Sequence, residues 1–100
     1  MARFDVYRNG VTGRGLLLDC QTDLLADLNT RLVAPLLGPA DAPKPARRLN
    51  PSFEVAGKPY VMATQYASAL EVRELGEKVA SLAEHDHEIV NAFDFLLTGV

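Results

Sequence analysis

Apolar and polar residues alternate at the start of the chain. In RFDVYRNG, Phe4 and Val6 fall on one side and Arg3, Asp5 and Tyr7 on the other. A period of two marks a half-buried strand, and Asn9-Gly10 closes it with a hairpin signal. Leu16 to Cys20 is a second β-like run. Arg31 to Leu36 is a third, whose end at Pro35 is demoted to an edge or a bulge because proline cannot donate to a ladder. Gly38, Pro39, Pro43 and Pro45 then break the pattern, so residues 38–48 read as an excursion outside the main sheet. SFEVAGKPYVMATQY contains two more β-like runs joined through Ala56-Gly57-Lys58-Pro59, the best hairpin in the chain. LEVREL is a last short strand.

From about Ala83 the period changes. Ile89, Phe93 and Leu96 recur at helical spacing, with Val90 and Leu97 widening the stripe. Ser81 and Glu84 offer a capping box, and Glu84, Asp86 and Glu88 place negative charge near the helix start. Gly99 suits the position just past the helix end. The pattern predicts five to seven short strands and one helix over about 83–97, in a single domain spanning 1–100.

Composition narrows the class. An apolar fraction of 48% and a charged fraction of 23% fit a folded domain and not a disordered tail. A net charge of -3 gives no general phosphate-binding surface. A single cysteine, Cys20, excludes an internal disulfide and fits a reducing compartment. MARFDVYRNG has no signal-peptide core, and no apolar run approaches the roughly 18 residues of a membrane span. A soluble cytoplasmic protein with no membrane partner is expected.

The candidate chemistry is sparse. Asp19 and Asp23 flank CQT, but no histidine is near in sequence, and local side-chain-to-backbone bonding explains them as well. His85 and His87 are spaced i, i+2, so on a helix they point apart, unlike an i, i+4 metal pair. Cys20 lies in an apolar run and reads as a small core residue. Lys44, Arg47 and Arg48 form a basic cluster without interleaved aromatics, which supplies no stacking platform for nucleic acid. No catalytic residue, cofactor or metal is assigned, and the chain is not expected to be an enzyme. What stands out is the end, FDFLLTGV, an apolar helix tip where chains are usually frayed and polar.

LDCQTDLL, RLVAPL, the FEVAGKPYVM hairpin and the final Gly-Val resemble the CcdB toxins of CcdA/CcdB toxin–antitoxin pairs along almost the full length. The resemblance implies a mainly β fold with one C-terminal helix: an SH3-like barrel, a small additional sheet and a homodimer. It implies binding to the A subunit of DNA gyrase through Asp94, Leu97, Thr98, Gly99 and Val100, beside a turn carrying Thr22, Leu24 and Leu25. It also implies a CcdA-like antitoxin, through which alone operator DNA would be reached. The antitoxin is expected at Tyr7, Arg8, Lys44, Arg47 and Arg48, where an irregular basic surface suits an acidic disordered ligand. Family toxins carry a tryptophan at the position of Thr98, so this tip has lost aromatic area. MazF-like ribonuclease toxins share the barrel but need a basic RNA face and a proton-transfer pair, and the sequence offers neither. A non-toxic homologue that only binds antitoxin is a further reading.

Overall fold

The computed structural model describes all of residues 1–100. Seven strands precede one helix: β1 (Asp5–Asn9), β2 (Leu16–Asp19), β3 (Thr30–Leu37), β4 (Ser52–Val55), β5 (Lys58–Met62), β6 (Ser68–Glu71), β7 (Leu75–Ser81) and α1 (Asp86–Thr98). Every pairing is antiparallel, in the order β4-β5-β3-β2-β1-β7, with β6 beside β3. The longest strand, β3, is the hub. It pairs β2 on one edge. On the other it pairs β6 from Thr30 to Val33 and then β5 at Leu36 and Leu37. β6 and β7 are consecutive in the chain yet end the path β6-β3-β2-β1-β7, so the sheet curls into a half-barrel. The additional sheet expected from the sequence is the β4–β5 hairpin, which stays joined to β3.

The curl buries both faces of β1, β2 and β3, as side-chain alternation requires. On one face Val6, Leu16, Leu18, Ala34 and Leu36 pack with Phe53, Val55 and Met62 of the hairpin and with Ile89 and Ala92 of α1. Each large apolar side chain fully buried there contributes about 1.5–3 kcal/mol. On the other face lie Asp5, Tyr7, Leu17, Asp19, Arg31 and Val33, also buried.

Several expectations change in the folded chain. Pro35 is neither at an edge nor at a bulge. Its carbonyl accepts from Ala63 N at 2.9 Å, and its missing N–H falls where β3 exchanges β6 for β5. LEVREL is not one strand: β6 ends at Glu71, a 3-10 turn covers Val72–Glu74, and β7 begins at Leu75. The expected capping box is absent. Ser81 ends β7, its hydroxyl accepts from Ala83 N, and α1 starts at Asp86 after a 3-10 turn. Phe4 precedes β1 at a φ of 72° and turns into the core, and Asp5 and Tyr7 are as buried as Val6. The best hairpin is present, with Val55 opposite Lys58 across Ala56 and Gly57, at φ 52° and 80°. Residues 38–48 carry no strand. Their end is pinned by Asn50, whose side chain accepts from Ala46 N and donates to Met62 O, both at 3.0 Å. No helix is long and apolar enough to cross a membrane.

Candidate protein-binding surface

The helix holds its apolar tip in the open. Asp86 and Glu88 sit in the first turn of α1, where the exposed N–H groups favour negative charge. Ile89 and Ala92 are buried, and Val90 and Phe93 pack at the edge of the core. Beyond them the stripe leaves the protein: Leu96 is 41% exposed, Leu97 76% and Val100 79%. The end is nevertheless ordered by hydrogen bonds. Gly99 takes the left-handed conformation (φ 76°) that a side chain would disfavour, and its N–H donates to Phe95 O at 2.9 Å. The Thr98 hydroxyl donates to Asp94 O at 2.7 Å and accepts from Val100 N at 3.3 Å.

A second apolar feature sits on the turn after β2. Asp23–Leu25 form a 3-10 turn capped by Thr22, whose hydroxyl accepts from Leu24 N. Gln21 ties the turn to β3 by donating to Leu25 O at 3.1 Å and accepting from Leu32 N at 3.0 Å. Asp23 accepts from Arg3 N at 2.9 Å. These polar ties leave Leu24 92% exposed and Leu25 50% exposed, so neither is a core residue. The β-sheet and the helix tip flank one groove of about 230 Å³, lined by Arg3, Phe4, Leu32, Phe93, Asp94 and Leu97 among others. The tip and the turn each present apolar side chains to solvent from a hydrogen-bonded backbone.

The expected antitoxin residues divide. Arg8, Lys44, Arg47 and Arg48 are exposed, but the Tyr7 side chain is buried, its hydroxyl 3.4 Å from Asp5 Oδ2. Arg8 shares a groove of about 280 Å³ with Lys58 and Tyr60 over a floor of Leu16, Val55 and Val79. Sequence reasoning missed Lys58, because only the hairpin's fold-back brings it to β1. Arg48 lines a different groove, with Pro51, Glu88 and Asn91. It also reaches the tip, donating to the Val100 main-chain oxygen at 2.7 Å and lying 5.0 Å above the Phe95 ring.

Asp19 pairs with Arg31 at 2.6 Å, with neither side chain in contact with solvent. Burial pushes the Asp19 carboxyl up, against the opposing pull of Arg31 and the Gln21 N–H. Burial likewise pushes the Cys20 thiol up to about 12, which keeps it protonated and inert. The His85 ring packs on Phe53 at 5.0 Å with its Nδ1 3.2 Å from Glu88 Oε1, while His87 faces solvent.

A curled antiparallel half-barrel with one C-terminal helix, whose apolar end faces solvent, defines a small, mainly β fold. The chain belongs to the CcdB toxin family: the family model described as CcdB protein matches residues 3–99. Its fold is also similar to that of a solved structure described as an endoribonuclease in complex with its cognate antitoxin from Mycobacterial species. That likeness has a TM-score of 0.68 at 21% identity and covers 97% of this chain and 92% of the other.

Proposed function

We propose that the protein is the toxin of a toxin–antitoxin module and that it acts by binding a protein, not by catalysis. Its target is the A subunit of DNA gyrase, met as a homodimer through Asp94, Leu97, Thr98, Gly99 and Val100 together with Thr22, Leu24 and Leu25. A CcdA-like antitoxin neutralises it through the basic positions Arg8, Lys44, Arg47 and Arg48. The observation that carries this reading is the apolar helix end, 76% exposed at Leu97 and 79% at Val100, together with a turn that presents Leu24 and Leu25 to solvent. Exposed apolar area held on rigid elements is what a partner buries at the centre of an interface.

The test is a pull-down of the pure protein with gyrase A subunit, with total RNA incubated in parallel. Capture of gyrase with intact RNA supports the proposal. Cleaved RNA without gyrase capture supports a ribonuclease toxin instead, a reading favoured by the endoribonuclease description of the structural neighbour. A single species of monomer mass in light scattering at micromolar concentration would overturn the dimer.

A further inference from the structure

Arg48 is 52 residues from the oxygen it holds. The guanidinium donates to the Val100 main-chain oxygen at 2.7 Å. The same group lies over the face of the Phe95 ring, one turn back on α1, with its central carbon 5.0 Å from the ring centroid. The two contacts hold the group at two points, one through an N–H bond and one over the ring. A lysine ammonium could supply the donor but not the flat face. Arg48 also sits at a φ of 71°, an uncommon conformation for a residue other than glycine, asparagine or aspartate. Two residues on, Asn50 anchors the segment to β5 through Met62. A line of contacts therefore runs from the sheet through Asn50 and Arg48 to the last residue.

We propose that Arg48 is a positioning residue of the helix tip, a clip by which segment 38–48 sets the geometry of Gly99 and Val100. Beyond Thr98 the chain has no helix to hold it, and the only other ties there are those of Gly99 to Phe95 and Val100 to Thr98. Without Arg48 the last residues would pivot at Gly99. With it, Val100 is presented in one place. This role rests on the reading of the tip as the binding end, and it makes the basic segment and the tip one continuous surface.

The test needs no partner. In isotope-labelled wild type, NMR should show the Arg48 δ-methylene protons shifted upfield by the Phe95 ring current. The backbone heteronuclear NOE at Gly99 and Val100 should stay near that of α1. Arg48→Ala should drop the NOE at Val100 to that of a frayed terminus while Ile89 and Ala92 keep theirs. Arg48→Lys should fall between, and Phe95→Leu should remove the upfield shift and also fall between. An unchanged NOE at Val100 in Arg48→Ala, or an Arg48 side chain without a ring-current shift in wild type, would overturn the clip. Failure to capture gyrase would count against the proposed target alone, because none of these readings involves it.

Discussion

Asp19 Oδ2 and Arg31 Nη2 meet at 2.6 Å inside the curl of the sheet, and neither side chain reaches water. Asp19 also accepts from Gln21 N at 3.1 Å, whereas Arg31 Nε has no acceptor. Attraction between such charges is strong because the surroundings polarise little, but each has lost its hydration. The pair is therefore a feature that is costly to break and not costly to replace. Arg31→Met, which strands the carboxylate, should destabilise the protein by about 3–5 kcal/mol in urea unfolding. The double variant Asp19→Leu, Arg31→Met should cost clearly less than the sum of its parts. Additive costs, or a loss below about 1 kcal/mol for the single variant, would place this pair with weak surface bridges.

Tyr7 shares that interior. Burial, then the charges of Asp5 and Asp19 and the hydrogen bond to Asp5, push its hydroxyl up to about 12. The neutral form is thus favoured in the folded state. Its contribution is complete below the ordinary tyrosine value of roughly 10 and is lost as pH rises from there towards 12. The difference in unfolding free energy between wild type and Tyr7→Phe should therefore be flat below pH 10 and shrink by about 2–3 kcal/mol across that window. Absorbance titration checks the same point: one of the three tyrosines should ionise about two pH units above an exposed one. Equal ionisation of all three would contradict it.

The sequence showed the parts of this fold that depend on neighbours in the chain. The β4–β5 hairpin was legible because Ala56-Gly57 turns locally, and the helix because its period is local too. β7 was not. LGEKVAS has few apolar residues, since it lies at one end of the sheet and is half exposed. A Cβ at Gly76 would sit 2.9 Å from Arg8 O, so glycine is what lets β7 lie against β1. The Asp19–Arg31 pair had a faint signal, a charge inside each of two apolar runs, which calls for a partner. Nothing local says that the two runs lie side by side. At the site, the exposed tip and turn were legible from the family resemblance. Arg48 on Phe95 was not, because that contact exists only once the excursion has folded back onto the helix.

Leu25 tests the second half of the proposed surface. It is 50% exposed, and its backbone is tied to Gln21, Thr22 and Leu28. Leu25→Arg should leave the melting temperature within a degree or two, since substitutions away from buried features stay within about 0.5 kcal/mol. It should abolish growth inhibition on induced expression, because a partner would have to bury an unpaired charge. Loss of folded protein would show that Leu25 does more for the fold than its exposure indicates. Undiminished toxicity would remove the turn from the binding surface.

Thr98 carries the sharpest expectation. It is exposed, and its hydroxyl donates to Asp94 O and accepts from Val100 N. The hydroxyl is therefore already satisfied by its own helix and would enter a dry interface at little penalty. What threonine lacks is area. An indole buries roughly 150–250 Å², and at about 25 cal/mol per Å² the shortfall is several kcal/mol before ordering costs. Wild type should bind a conventional gyrase A fragment weakly. Thr98→Trp should tighten binding tenfold or more, at roughly 1.4 kcal/mol per decade. The melting temperature should stay the same, because Thr98 is exposed and outside the apolar core, and Arg48 still holds Val100. Calorimetry on the two proteins decides the matter. Nanomolar binding by wild type would show that the aromatic anchor is dispensable here. An unchanged affinity in Thr98→Trp would mean that this tip is shaped for a target other than gyrase.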